Sequence, residues 1–536
     1  MFLCVLLTLL ASGASSVEVF VSEKNGVDRT SCLQSNGSIP CGSLRYALQI
    51  LNQAEFSEKT VFEFHMKDRY YHLKNDVEIL QSRKDRYVYI TSAENSSTVV
   101  RCVNESSADI TMVAAYNIHI SNIEFQQFTS MSAAVVTIWN SDNISFTNCT
   151  FKDNDRSGIN AFDSGVSIER CLFLNNTSNL RKLMVFESHI TPNSISISGG
   201  AGFVFRHAVN LSLVIRNTSF IANSATVNSS ENFIPLTSTF YLPGLNLLGG
   251  GLLVAFIGEA RSCRALVEGT NFDNNQATFG GGLFYTASQY ATGNLMKVWK
   301  SSFVNNSASQ AGGGISILVG GSTSLSQFSV THCVISENWS RRGGGVNIFL
   351  VKYPVTITQS RIQFKNVTFD GNSGLASAAV RLDTALPVGI PIVEIPEFID
   401  CTIQHHCATY NTYTSPFTSV RVNVKFMGRN VFRENHGAGA MEYLRGRIFV
   451  NGSLEFVQNS GSYGGAVLLS SSQIILHPGS ELRFVANYAS GVGGAIFVLT
   501  NSRYEFIHEY NPDCFVTYSE ERTAPSQWKV SFLRTK

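Results

Sequence analysis

Glu337 and Asp370 are the carboxylates whose placement best suits acid–base chemistry. Each closely follows an apolar residue, Ile335 or Phe369, that recurs along the chain. The two carboxyl groups are therefore expected in neighbouring turns, near enough to act as nucleophile and general acid in glycoside cleavage. Solvation of an acidic corner is the competing explanation. A second constellation, Asp153, Asp155 and Ser157 with Gly158 at the bend, has the alternating oxygens of a calcium loop, although Ser164 stands where a bidentate glutamate belongs. A third, Cys401, His405, His406 and Cys407 in CTIQHHC, gathers metal-ligand types at a spacing that fits no ordinary zinc site. An oxidising compartment favours a Cys401–Cys407 disulfide loop instead. Asp-Asp, Gly-His-Gly and mid-repeat Arg-x-Lys signatures are missing, and the glycine clusters lack the Lys-Ser/Thr that cradles phosphate. No residue is assigned a catalytic or metal role at this point, the candidates being Glu337 and Asp370, and Asp153, Asp155 and Ser157; no cofactor is implied.

These residues sit within a repeat. An aromatic followed three residues later by asparagine returns as Phe151/Asn154, Phe173/Asn176, Phe220/Asn223, Phe272/Asn275, Phe303/Asn306, Phe369/Asn372, Phe432/Asn435, Phe456/Asn459 and Phe484/Asn487, with Ile335/Asn338 in the same slot. Glycine clusters leading into apolar stretches follow at Gly280, Gly312, Gly343, Gly464 and Gly493. From Phe272 the successive intervals are 31, 32 and 34 residues, and the 63 to Phe432 read as two turns with a degenerate rung near Phe398. The segments between are rich in Val, Ile, Thr and Phe and carry no helical periodicity, so they read as short strands. A chain coiling into rungs of parallel strands accounts for both motifs: one phenylalanine per turn points inward and stacks, an asparagine ladders at the corner, and glycine fills crowded bends. The predicted fold is all-β, a right-handed parallel β-helix solenoid with an N-terminal capping helix. Ser43 is the expected N-cap of that helix, with Leu44, Ala47, Leu48 and Leu51 on its apolar face. Cys149 and Cys171, each two residues before the repeated phenylalanine, are expected to stack within disulfide range, as buried thiols in preference to a bond because the side-chain angle between in-register parallel strands is poor.

The predicted organisation is a signal peptide at 1–16, a cap with the first rungs at 17–110, β-helix repeats at 111–510, and at 511–536 the start of a further rung, with more repeats expected downstream. The signal peptide reads from the apolar run at 1–10 followed by Ala11, Ser12, Gly13 and Ala14. The other apolar stretch, 244–258, is too short and too glycine-broken for a membrane span. Eleven cysteines leave an even number once Cys4 departs with the signal, and Cys32 with Cys41 are the expected disulfide flanking a small polar loop. Fourteen Asn-x-Ser/Thr sequons are present: Asn36, Asn95, Asn104, Asn143, Asn148, Asn175, Asn176, Asn210, Asn217, Asn228, Asn305, Asn338, Asn366 and Asn451. With 40 Lys+Arg against 39 Asp+Glu, nothing draws the chain to nucleic acid. At 44% hydrophobic and 15% charged it buries a core rather than staying disordered. The expected location is secreted or extracellular, including the cell surface.

The paired F-x-x-N and glycine signals over 151–498 resemble the repeats of polymorphic outer-membrane proteins, which are autotransported adhesins, and of the wider pectate-lyase-like right-handed β-helix superfamily. The stretches VEVFVSEKNGVDRTSC, PCGSLRYAL and NPDCFVTY resemble secreted animal proteins that carry such repeats. The bacterial adhesins end in a membrane β-barrel, and no counterpart is seen here, so their export mechanism does not transfer. The resemblance implies a fold rather than an activity. The expected function is non-enzymatic adhesion, recognition or extracellular matrix, with extracellular glycans or proteins as partners; the alternative is a polysaccharide lyase or glycoside hydrolase of the pectate-lyase-like class.

Overall fold

A computed structural model describes residues 16–29, 32, 39–53, 61–73, 78–80, 82–93, 97–102, 109–129, 134–179, 198–226, 248–320, 323–351, 360–384, 395–407, 415–492, 494–499, 515–519 and 522–523. The expected signal peptide up to residue 15, Asn36, Asn95, Asn104, Asn228 and the strand expected at 528–536 lie outside them. Two compact units form, Met1–Tyr285 with Ala291–Met296, and Thr286–Tyr290 with Lys297–Lys536.

In the first unit each turn of chain lies in parallel register on the turn before. A representative rung runs through strands Ala201–Phe205, Ser212–Arg216, Ser219–Ile221 and Ser224–Thr226. It pairs on one side with Ser157–Phe162, Val166–Glu169, Leu172–Leu174 and Thr177–Asn179. On the other it pairs with Leu252–Phe256, Arg264–Glu268, Asn271–Asp273 and Gln276–Phe279. The second unit repeats the scheme, as in Ile315–Gly320 on Val346–Val351 and Gln327–Thr331 on Arg361–Lys365. Parallel pairing at one rung per turn is the parallel β-helix that the repeat predicts.

Two columns explain the repeated letters. In the first unit Phe125, Phe151, Phe173, Phe220 and Phe272 are fully buried and stack at 4.8, 4.8, 4.7 and 5.1 Å between ring centroids. Beside them, Asn154, Asn176, Asn223 and Asn275 pass Nδ2–H to the next Oδ1 at 2.7, 2.8 and 3.0 Å. Each of these amides also holds the backbone carbonyl of the preceding rung's aromatic, as Asn223 holds Phe173 at 2.9 Å. Full satisfaction is what lets so many amides be buried. The residue before each asparagine turns the corner in the left-handed region, with φ of 53° at both Asp153 and Asn175 and 55° at Asn274. The glycine and phenylalanine motifs recur together because they touch. A Cβ on Gly200 would lie 2.8 Å from the Phe220 ring, and one on Gly251 2.9 Å from that of Phe272.

In the second unit the apolar column runs Phe303, Ile335, Phe369, Ile403, Phe432, Phe456 and Phe484. Here the structure corrects the expected degenerate rung. Phe398 pairs with Phe364 and Phe426 in the strand before the corner, and Ile403 fills the repeat slot. The matching ladder position belongs to His406.

At the N-terminal end one helix, Leu44–Gln53, is capped as expected: Ser43 Oγ accepts the amide of Tyr46 at 3.2 Å. Asp28 in turn holds the Ser43 amide at 2.8 Å and its hydroxyl at 3.0 Å. Leu44, Ala47 and Leu48 are buried, and the Leu44 amide donates to the Tyr71 hydroxyl at 3.1 Å. Cys32 and Cys41 form a disulfide that closes the loop before this helix. No helix among the described residues is long and apolar enough to cross a membrane; the 244–258 stretch contributes the fully buried strand Leu252–Phe256.

Candidate functional site

Strands that follow the small-residue clusters alternate inward and outward, so in the second unit Val380 and Leu382 enter the core while Arg381 and Asp383 face out. Register then builds a site that no single segment contains. Asn347 lies opposite Arg381, Arg381 opposite Thr418, and Thr418 opposite Glu442, giving one polar side chain per rung. Rungs of a parallel sheet lie about 4.8 Å apart. The Arg381 guanidinium donates to Asp383 Oδ2 at 2.9 Å with both side chains mostly covered, at 16% and 19% exposure. Its Nε is buried with no hydrogen-bond partner among the described residues. Burial pushes the Glu442 carboxyl above its ordinary range, opposed by the charge of Arg381 and a hydrogen bond with Thr418. A carboxyl whose proton affinity is raised beside a guanidinium–carboxylate pair is the type of group that serves as a general acid once protonated.

Glu337 and Asp370 fall in adjacent rungs as expected, the Glu337 amide donating to the Asp370 carbonyl at 3.0 Å. The side chains are committed differently. Asp370 lies opposite Ser336, and Glu337 is exposed at the corner beside Gly371. Burial raises the Asp370 carboxyl, but hydrogen bonds from His405 and Gln404 more than offset this and leave it below its usual range. Its partners are His405 Nδ1 at 2.8 Å and Gln404 Nε2 at 3.1 Å, and His405 Nε2 reaches Glu434 at 3.4 Å.

Asp153, Asp155 and Ser157 are drawn apart in role. Asp153 is a left-handed corner accepting from Asn175 at 2.8 Å, the Asp155 amide is bound to the Phe128 carbonyl, and the buried Ser157 hydroxyl bonds the carbonyls of Ile159 and Gly200. CTIQHHC resolves into repeat slots. Cys401 is the buried residue two before Ile403, His405 the left-handed corner, and His406 the ladder member, its amide donating to Asn435 Oδ1 at 3.2 Å. The expected Cys401–Cys407 disulfide is absent: both are free, Cys401 turned into the core and Cys407 exposed. Cys149 and Cys171 are also free thiols, stacked so that the Cys149 amide meets Cys171 Sγ at 3.4 Å. Thr218 takes the same place one rung on, its hydroxyl accepting from the Cys171 amide at 3.4 Å, so the thiols substitute for a hydroxyl ladder.

In the first unit, Glu18, Glu63 and His65 bring ligand atoms within 4.8 Å of one another. They could hold a cation, with His65 stacked on Phe20 at 5.1 Å. Further along the same unit Trp139 stacks on Phe162 at 4.1 Å while 41% exposed.

Sequence reasoning missed Arg381, Asp383, Thr418 and Glu442. The signal was the polar alternation in VRLD and ME, at the offset where other turns continue a glycine cluster; here Ala378-Ala379 and Gly439-Ala440 fill that slot.

The fold defines the class, a parallel β-helix protein. No family model matches the chain, and no curated protein matches it. A solved structure named rhamnogalacturonan lyase aligns over 95% of this chain and 89% of its own, at 9% identity and a TM-score of 0.20. That likeness bears on neither activity nor ligand.

Proposed function

We propose that the protein is exported and acts without catalysis, as a secreted or cell-surface β-helix protein of adhesion, recognition or extracellular matrix that holds an extracellular glycan or protein along its rungs. The observation that supports this reading is the Asn347–Arg381–Thr418–Glu442 column. It sets polar groups at a repeating interval, with Arg381 and Glu442 half-buried and Asn347 and Thr418 buried between them, and leaves the Arg381 Nε–H to be satisfied. The likeness of the F-x-x-N and glycine repeats to those of polymorphic outer-membrane proteins supports adhesion in the same sense.

A second reading, a polysaccharide lyase or glycoside hydrolase of the pectate-lyase-like class, is favoured by the raised proton affinity of Glu442 next to Arg381. The purified full chain, offered acidic and neutral extracellular glycans with and without calcium, separates the two. Retention of a glycan without product, weakened about tenfold or more by Arg381→Ala, supports binding; loss of one desolvated charged contact costs roughly that much. Appearance of unsaturated or reducing ends that vanish in Glu442→Gln makes the protein an enzyme.

A further inference from the structure

The structure divides nine of the ten described sequons into two chemical kinds, with Asn366, half-buried at a left-handed bend, in neither. Asn176 and Asn338 are ladder members, buried at 0% exposure. Each spends both amide hydrogens: Asn176 Nδ2 donates to the Phe151 carbonyl at 3.0 Å and Asn223 Oδ1 at 2.8 Å, and Asn338 Nδ2 to the Phe303 carbonyl at 2.9 Å and Asn372 Oδ1 at 2.9 Å. By contrast Asn143, Asn148, Asn175, Asn210 and Asn217 in the first unit are exposed at left-handed bends. Asn305 is an exposed left-handed corner in the second unit, and Asn451 is exposed on a strand. Asn143 and Asn175 spend Nδ2 on one neighbour each, Asn117 and Asp153, both at 2.8 Å.

N-glycosylation replaces one amide hydrogen. The asparagine Nδ2 forms a bond to the anomeric carbon of a polyprenyl-pyrophosphate-linked oligosaccharide, the bond from that carbon to the pyrophosphate breaks, the lipid pyrophosphate leaves, and the nitrogen gives up a proton. At an exposed bend the second hydrogen is available and the sugar projects into water. At Asn176 or Asn338 the same substitution deletes one of two buried hydrogen bonds and puts a sugar where there is no space, at the cost of buried groups left unpaired. Transfer precedes folding, so a chain modified there cannot close its ladder.

We propose that the folded, exported protein carries N-glycans at the exposed set, Asn143, Asn148, Asn175, Asn210, Asn217, Asn305 and Asn451, and none at Asn176 or Asn338. Asn175 and Asn176 form overlapping sequons, and the geometry selects Asn175. This rests on the export reading above. Among the described residues no sequon falls in the sheet that carries Arg381 and Glu442, so the sugar coat leaves the candidate binding face bare.

The test is site-resolved mass spectrometry of the full chain produced in eukaryotic secretory cells, with enzymatic deglycosylation in ¹⁸O water to mark each modified asparagine. Marks at the exposed set with none at Asn176 and Asn338 are expected. Asn148→Gln should reach the medium at an unchanged level, one glycan lighter, and Asn338→Gln should fall severalfold in yield. A mark at Asn176 or Asn338 in protease-resistant secreted protein, or a secreted chain with the exposed set bare, overturns this proposal and leaves export standing. A chain held in the cytosol overturns the export reading and this proposal with it.

Discussion

Asn223 and Asn275 are joined twice, through the Asn223 backbone amide and through its Nδ2, both donating to Asn275 Oδ1 at 3.0 Å. One oxygen thus closes the corner of the rung before it, and Asn176 leans on Asn223 in the same double way. The left-handed residue in front, Ala222 with φ of 52°, aims the asparagine inward. The ladder is therefore a structural spine along the corner from Asn154 to Asn275.

Asn223→Ala should be among the costliest single changes in the first unit. It strands the Phe173 carbonyl and the two Asn176 donors that reach Asn223 at 3.2 and 2.8 Å. Groups left unpaired in a buried site cost about 1–3 kcal/mol each, so a loss of roughly 3 kcal/mol or more is expected. Urea unfolding of the variant gives the magnitude. Because rungs are coupled mainly to neighbours, amide exchange should quicken first at 173–179 and 224–226. A uniform loss of protection across the unit would contradict a ladder built of nearest-neighbour links.

His406 makes the second unit sensitive to acid. It fills the asparagine slot between Asn372 and Asn435, fully buried, with Nδ1 at 3.1 Å from the Asn372 carbonyl. Burial lowers its pKa from 6.5 to about 4, so the fold requires neutral imidazole. Between those values the unfolded chain binds the extra proton and the folded chain does not. The stability is thus fully present above pH 6.5 and drains away as pH falls towards 4, by roughly 3 kcal/mol at the two-to-three unit displacement. His406→Asn restores the ladder chemistry and should flatten this part of the stability profile. Unfolding midpoints of both proteins from pH 7 to pH 4 are the measurement, and parallel curves would refute the assignment.

Much of the fold was legible because one physical demand, a closed turn with an aromatic inside and an amide at the bend, repeats in the letters. Phe220/Asn223 and Phe272/Asn275 announce it directly. The rung at Ile403/His406 was misplaced because each turn has two inward apolar columns, and Phe398 belongs to the earlier one. The candidate site was not legible for a different reason. Arg381, Thr418 and Glu442 share no motif and become neighbours only through strand register. The expected Cys401–Cys407 loop failed on side-chain direction: Cys401 is buried ahead of the strand Thr402–Gln404, and Cys407 lies exposed past the left-handed corner at His405.

Alkylation should separate the cysteines by column. Cys407 is exposed, while Cys149, Cys171, Cys263, Cys333 and Cys401 are buried. Burial raises the Cys333 thiol to about 11 and that of Cys401 to about 12, so little thiolate forms at neutral pH. Native protein treated with iodoacetamide should label Cys407 roughly a hundredfold or more faster than these five, which become reactive together with unfolding. Peptide mass spectrometry over a time course reads this, and equal rates at Cys401 and Cys407 would sink the core placement.

Glu442 should act on stability in the opposite sense to His406. Its carboxyl is held above the ordinary value of 4.5 by burial, so over the window above 4.5 the folded chain binds more protons than the unfolded chain. Its contribution is therefore present at low pH and lost as pH rises through the folded-state value. Glu442→Gln keeps the neutral shape and the hydrogen bond to Thr418, so it should raise the unfolding midpoint at pH 7 and leave it unchanged at pH 4. Arg381→Met removes the charge that now eases ionisation, so it should raise the carboxyl's pKa further and deepen the loss at neutral pH. Calorimetry of the two variants beside the parent at both pH values is decisive. A Glu442→Gln protein that is less stable at pH 7 would mean that the ionised carboxylate is what the Arg381 face requires, and the general-acid chemistry allowed to this residue would go with it.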